Sequence, residues 1–258
     1  MGRVLAVANQ KGGVAKTTTV HALAVALAEL GESVLVVDLD PQACLTFSMG
    51  LDPDSLDASV HDVFVRGTPA AKVIQHVEGV DLLPATIDLA GSEVHLLTRT
   101  GREHALARAI APLGPMYDTV IIDCPPSLGV LTINGLTVAE QVLVPLQCEA
   151  LSHRGVAQLL ETIDDVRLFA NPALSVRGII ATMYDGRTRH SRAILDDVRS
   201  RYALNVLEPP VPKSVRFAEA PAQGHSILRH ASGSAGAEAY RAIARTLHGD
   251  LTNADDAT

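Results

Sequence analysis

A single α/β domain with a mostly parallel, twisted sheet and helices on both faces is predicted by three observations. Short apolar runs rich in Val and Ile alternate with segments of helical period along most of the 258 residues, the pattern of repeated strand-helix-strand units. No linker, internal repeat or low-complexity tract interrupts that alternation. The first apolar run passes straight into a glycine-rich loop and then a helix, an arrangement in which backbone amides converge on an anion. Residues 1–250 are expected to form this domain and 251–258 a flexible acidic tail.

The composition sets limits on function. At 47% hydrophobic and 19% charged the chain is too apolar for disorder. No uncharged apolar stretch reaches the roughly 18 residues of a membrane span. The start lacks the basic and long apolar segments of a signal peptide, and Gly2 lacks the downstream Ser or Thr of a myristoylation site. The three cysteines, Cys44, Cys124 and Cys148, include no Cys-x-x-Cys pair and point to reduced thiols in a cytoplasm. Of the ten histidines, His153, His190, His225 and His230 show no metal-ligand spacing with one another.

The first strand, Arg3 to Ala8, is a continuous apolar run of the kind buried on both faces of a parallel sheet. It leads into Asn9-Gln10-Lys11-Gly12-Gly13-Val14-Ala15-Lys16-Thr17-Thr18-Thr19. The first helix spans Lys16 to Leu30 and is closed by Gly31. Glycines turn amides toward one point and the helix N-terminus adds positive potential. Lys16 reaches the terminal phosphates of a nucleotide, and the Thr17 hydroxyl meets Mg²⁺. Gly12, Gly13, Val14, Ala15, Lys16, Thr17 and Thr18 are therefore candidate nucleotide-binding residues. The strict pattern G-x-x-x-x-G-K-[ST] is broken twice, by Gln10 and by Ala15. The added methyl of Ala15 is tolerated where φ is negative, and otherwise narrows the pocket or slows turnover.

The second strand, Ser33 to Leu39, carries Asp38 and leads to Asp40-Pro41-Gln42. Carboxylates at i and i+2 on a strand point the same way, and ligands bind at the carboxyl edge of a parallel sheet. Val80 to Pro84 is the third strand. After a helix at Arg102 to Ala111, the fourth strand, Thr119 to Asp123, ends in a carboxylate placed to hold Mg²⁺ through water, followed by Cys124-Pro125-Pro126-Ser127. Strands at Gln141 to Leu146, Val176 to Thr182 and Asn205 to Leu207 alternate with helices at Ser152 to Phe169, Ser191 to Tyr202 and Ala235 to His248.

Lys11-Gly12-Gly13-x-x-Lys16-Thr17 resembles the deviant Walker A loop of the ParA/MinD superfamily of dimeric ATPases, whose first lysine is the signature residue. Asp38-Leu39-Asp40-Pro41-Gln42 and Asp123-Cys124-Pro125-Pro126-Ser127 are similar to the same family's segments. Further matches include Pro145 to Glu149 and Pro212 to Pro221, so the resemblance covers roughly residues 3 to 247 and points to the Soj-like branch of ParA. It implies a P-loop NTPase fold and hydrolysis of ATP to ADP with Mg²⁺. Lys11 would act across the dimer on the partner's nucleotide and Lys16 on its own. Asp40 would orient the attacking water, and Asp38 would lie near the metal. Pro212 and Ser214 would pack near the adenine. It also implies an ATP-dependent homodimer, nonspecific double-stranded DNA as a ligand, and a ParB-like centromere-binding partner that stimulates hydrolysis. With no helix-turn-helix extension ahead of the loop, operator-specific autorepression is not expected.

A net charge of −8 argues against a protein coated in basic side chains. Between Arg177 and His230, however, nine basic residues face five acidic ones, a local +4 that leaves −12 elsewhere. By the resemblance, Arg187 and Arg216 match positions that bind DNA; Arg189 and Arg192 join them on charge alone. Phosphate contacts of this kind give salt-sensitive, sequence-independent binding. The expected location is the cytoplasm, on the nucleoid. Two alternatives share the loop: a MinD-like ATPase, which needs a basic amphipathic C-terminal helix that this acidic end does not supply, and a slowly hydrolysing ATP-switched scaffold. Iron-sulfur carrier relatives would need the missing Cys-x-x-Cys.

Overall fold

The computed structural model describes residues 2–148 and 152–255, and Glu149 of the Pro145 to Glu149 segment lies outside them. In chain order the elements are β1 (Arg3–Val7), α1 (Lys16–Glu29), β2 (Val34–Asp38), α2 (Cys44–Ser48), α3 (Val60–Arg66), β3 (Gln75–Val77), β4 (Val80–Leu83), α4 (Leu89–Leu97), α5 (Ala105–Ile110) and β5 (Thr119–Asp123). They continue with α6 (Val130–Val138), β6 (Gln141–Gln147), α7 (Ser152–Phe169), β7 (Ser175–Thr182), α8 (Arg189–Tyr202), β8 (Val206–Leu207), α9 (Arg216–Glu219), α10 (Ile227–His230) and α11 (Ala235–Asp255).

The eight strands form one sheet in the order β3-β4-β2-β5-β1-β6-β7-β8, parallel except for the β3/β4 hairpin. Alternation along the strands divides the core. Val4 and Ala6 of β1 join the layer that includes α3 to α8, while Leu5 and Val7 join the layer built from α1, α10 and α11. Strand β1 sends α1 to one face on its way to β2, and β5 sends α6 to the other on its way to β6. The carboxyl ends of β1, β2 and β5 therefore open a crevice at a topological switch point.

All seven expected strands are present, within a residue or two at their ends. Strand β3, short and largely exposed at the sheet edge, is not signalled in the sequence; nor are α3, α4 and α6, or the short helices α2, α9 and α10. Helix α6 is buried on nearly all sides and so carries no amphipathic stripe to detect. The last helix runs to Asp255, through residues expected to be tail. Its apolar face is spent inside the domain, where Ala237, Tyr240, Ile243, Ala244 and Leu247 are all buried.

The far end of α11 is fastened to the sheet by a buried polar cluster. The Arg3 guanidinium donates to the Leu247 carbonyl and, at 2.9 Å, to Thr119 Oγ1. The Glu32 carboxylate pairs with Arg3 at 3.4 Å and lies 2.8 Å from His248 Nδ1. A buried guanidinium keeps its charge away from water when a carboxylate pairs with it and further acceptors take its remaining N–H groups.

The β3/β4 hairpin turns through Glu78 and Gly79, at φ +48° and +82°, the two positive values of a type I′ turn. A non-glycine residue is strained in the first of these positions. Its side chain shows what holds it there: Glu78 Oε2 lies 2.6 Å from His21 Nε2 on α1 and accepts from the Ser226 amide at 2.9 Å.

Candidate active site

The loop between β1 and α1 is anchored at both ends. Asn9 Nδ2 donates to the Pro145 carbonyl at 2.8 Å while Asn9 Oδ1 accepts from the Lys11 amide at 3.0 Å. On the far side, Thr182 Oγ1 donates to the Val14 carbonyl at 3.0 Å. Gly12 and Gly13 are exposed at the crest, and Gly13 has φ +74°. These anchors fix the loop against its neighbours, which lowers the cost of ordering it on binding.

Ala15 is the N-cap of α1, at φ +66° and ψ +35°. This is the left-handed region, contrary to the negative φ under which its methyl is easily tolerated. An L-residue pays about 1 kcal/mol or more there, partly offset by the lower entropy cost of alanine relative to glycine. Ala15→Gly is therefore expected to stabilise the protein by about 0.5 kcal/mol in urea denaturation. A lower midpoint for the glycine variant would contradict this assignment of strain.

Lys16 is buried, and its Nζ donates to the Lys11 carbonyl at 3.3 Å. Burial lowers its pKa, against the pull of Asp123. Thr17 Oγ1 donates to Asp123 Oδ2 at 2.7 Å, so the loop's hydroxyl and the carboxylate at the end of β5 meet as expected. The other oxygen, Asp123 Oδ1, is buried without a hydrogen-bond partner. Burial, and then the nearby Asp38, push the Asp123 pKa well up.

A buried carboxylate oxygen with no protein partner beside the Thr17 hydroxyl offers hard oxygen ligands, and this pair fits Mg²⁺. Among the described residues no group of three or more His, Cys, Asp or Glu is placed to cage a metal. Mg²⁺ needs none, because it binds through one or two carboxylates, water and substrate phosphates.

The two acids of the β2 edge do not share a direction. The strand ends at Asp38, so alternation does not extend to Asp40. Asp38 is fully buried, accepting from the Asp40 amide (3.0 Å), the Thr46 amide (3.0 Å) and Thr46 Oγ1 (2.8 Å). Burial pushes its pKa up to about 6 despite those donors. Both oxygens are thus engaged with the following loop, while the residue itself lies beside Asp123 on the neighbouring strand, the carboxylate expected to hold Mg²⁺. Asp40 is partly exposed at the mouth of the crevice, with Oδ1 accepting from the Gln42 amide at 2.9 Å.

Two cavities flank the helix N-terminus. One, of about 350 Å³, is lined by Gly13, Ala15, Pro212 and Ser214 together with Met183, Phe217 and Tyr240. It has the size and apolar walls of a base pocket. Pro212 and Ser214, expected near the adenine, line it beside two aromatics that the sequence does not signal, Phe217 and Tyr240, which pack edge to face at 6.1 Å between centroids. The other, of about 560 Å³, lies between α2 and residues 217–227 and includes Thr17, His21, Cys44, Phe47 and Ile87. Burial raises the pKa of Cys44, takes Cys124 far up and pushes Cys148 up to about 11.

The candidate DNA-binding arginines are all exposed. A parallel bridge between Tyr184 and Pro212, with the Tyr184 amide donating to the Val211 carbonyl at 2.9 Å, holds the Arg187 and Arg216 segments side by side. The positive face is smaller than the residue count implies. Arg187 pairs with Asp185, Arg216 with Glu219, Arg177 with Asp250, Arg199 with Glu208 and Arg201 with Asp197. Exposed pairs of this kind are weak and open readily to phosphate.

The family model for the AAA domain matches residues 2–176. The chain is 40% identical over 249 residues to the sporulation initiation inhibitor protein Soj of Bacillus subtilis, covering 96% of this chain and 98% of that protein. It is 45% identical over 245 residues to the chromosome-partitioning ATPase Soj of Thermus thermophilus, covering 95% of each. Among solved structures, a Mycobacterium smegmatis protein described as cobyrinic acid a,c-diamide synthase, with bound ATP analog and magnesium, is 55% identical with a TM-score of 0.86. That match covers 96% of this chain and 94% of the other.

Proposed function

Because the chain belongs to the ParA/Soj family of partitioning ATPases, we propose that it is a Mg²⁺-dependent ATPase that dimerises on ATP, binds duplex DNA without sequence preference and hydrolyses ATP when a ParB-like partner engages it. The observation that carries this reading is the Thr17–Asp123 hydrogen bond beside buried Lys16, with the second lysine, Lys11, at the loop's rim. Mg²⁺ bound at Thr17 and the waters of Asp123 would withdraw charge from the phosphates. Lys16 pairs with the terminal phosphates of its own nucleotide, and Lys11 with those of the partner subunit's nucleotide. Asp40 accepts a hydrogen bond from the attacking water and aims it along the line of the breaking bond. Asp38 organises the loop that carries Asp40. Pro212, Ser214, Phe217 and Tyr240 seat the base.

ATP-driven dimerisation gathers two copies of the Arg187 and Arg216 face, with Arg189 and Arg192 beside them, onto one stretch of duplex. The phosphate contacts of both copies then add, raising affinity without base readout. The protein would act on the nucleoid in the cytoplasm, in chromosome or plasmid segregation. The membrane-cycling alternative finds no support in α11, whose apolar face is already buried on the domain, and no described helix is long and apolar enough to cross a membrane.

Arg216→Glu is expected to weaken duplex DNA binding at least about tenfold at low salt and to flatten its salt dependence, with ATP binding retained. DNA affinity equal to that of the unmodified protein would remove this face from the reading. The name of the Mycobacterium smegmatis neighbour raises a second reading, an ATP-dependent amide synthase. Thiol chemistry of the kind used to release ammonia from glutamine finds little support here, because Cys124 and Cys148 are buried and Cys44 alone is exposed. Phosphate release that requires cobyrinic acid and an ammonia source, and ignores DNA, would favour that reading instead.

A further inference from the structure

Asp40 lies beyond the end of β2, and a residue outside the recognised motifs fixes where it sits. The Asp40 amide donates to Asp38 Oδ1 at 3.0 Å. Asp38 Oδ2 is held by two donors from Thr46, the amide at 3.0 Å and Oγ1 at 2.8 Å. Thr46 Oγ1 in turn accepts from the Ala85 amide at 2.9 Å, just past the end of β4. Thr46 is completely buried, so water cannot replace any of these bonds.

The remaining hydrogen bonds at Asp40, from the Gln42 amide to its carboxylate and from the Ala43 amide to its carbonyl, come from its own loop and move with it. We propose that Thr46 is the positioning residue for Asp40, acting through Asp38, and that the end of β4 is the fixed point against which the water-orienting carboxylate is aligned. A hydroxyl is suited to this place because one atom both donates to Asp38 and accepts from Ala85. Valine has nearly the same shape and does neither, whereas serine does both. The inference rests on Asp40 acting at the terminal phosphate, as proposed above.

The test compares Thr46→Val, Thr46→Ser and the unmodified protein in steady-state ATP hydrolysis, with affinity for a fluorescent ATP analogue measured separately. Thr46→Val is expected to lower kcat at least about tenfold, with KM and analogue affinity within about twofold, and Thr46→Ser to recover most of kcat. A Thr46→Val kcat equal to that of the unmodified protein overturns the assignment. So does a serine variant as impaired as the valine one, which would make the methyl's packing the important feature. Should Thr46→Val not fold, Asp38→Asn provides the same readout, because an amide must place a donor against either the Asp40 or the Thr46 donors. It is expected to lower kcat with ATP binding kept, and an unchanged kcat overturns the proposal. Asp40→Ala separates the premise from the inference. Full activity there removes the premise, whereas an inactive Asp40→Ala beside a fully active Thr46→Val removes only the positioning role.

Discussion

Asp40→Ala is expected to lose at least about 99% of ATP turnover while binding ATP within about threefold of the unmodified affinity. A group that orients and accepts from the attacking water contributes on the order of 10²- to 10⁴-fold. Removing an interaction made only in the transition state lowers kcat and leaves ground-state binding in place. The structure supports that separation. The Asp40 carboxylate accepts from the Gln42 amide within its own loop, whereas the phosphate loop is anchored independently through Asn9 and Thr182. Single-turnover phosphate release together with analogue binding provides both numbers. An unchanged rate, or a loss of binding in step with the loss of rate, would contradict the role given to Asp40.

The largest stability effect is expected at Glu78. Its carboxylate is almost wholly buried, 5% exposed, against a His21 side chain that is 4% exposed, and it also accepts from the Ser226 amide. The group thereby joins three segments: helix α1, the β3/β4 turn and the stretch entering α10. Glu78→Ala leaves the His21 ring and a buried amide without partners, a loss of roughly 3 kcal/mol, or on the order of 8 °C in thermal midpoint for a domain of this size. Burial works against the charged form, but the His21 ring and the Ser226 amide outweigh it and hold the Glu78 pKa below its ordinary value. The sign follows. A carboxyl with a depressed folded pKa contributes stability above its unfolded pKa and loses that contribution as pH falls through the folded value. The gap between Glu78→Ala and the unmodified protein should therefore be full near neutrality and narrow in the acid range below pH about 4.5. A gap independent of pH would mean that the carboxylate's charge plays no part.

The strands were legible because a parallel sheet buries both faces, so β1, β2 and β5 stand out as uninterrupted apolar runs. The phosphate loop was legible despite Gln10 and Ala15 because a strand-loop-helix context accompanies Lys11, Lys16 and Thr17. Helix α6 was not, since a segment apolar on all sides has no periodicity. The cavity beside Ala15 was half legible: Pro212 lay in a matching segment, but Met183, Phe217 and Tyr240 come together only through the order β6-β7-β8 and the return of α11 over α1. The direction of Asp40 was not legible, because strand alternation stops at Asp38, the last residue of β2. The backbone turns after Asp38, the Asp38 carboxylate faces inward, and Thr46 holds it there. Ala15 shows the limit of reading a residue without its φ, because the same methyl is harmless on one side of zero and strained on the other. The charge count between Arg177 and His230 was correct, but among the described residues five of those arginines have an acidic partner: three within four residues along the chain, and two, Arg177 with Asp250 and Arg199 with Glu208, that spacing does not reveal.

Sedimentation velocity of the Asp40→Ala protein, with and without Mg²⁺ and ATP, tests the central claim most directly, because hydrolysis no longer clears the bound state. The account predicts a monomer without nucleotide and a dimer with ATP, the dimer alone co-sedimenting with duplex DNA at low salt and leaving it as salt rises. A single monomeric species under both conditions, or equal DNA retention with and without ATP, would contradict an ATP-switched partition protein.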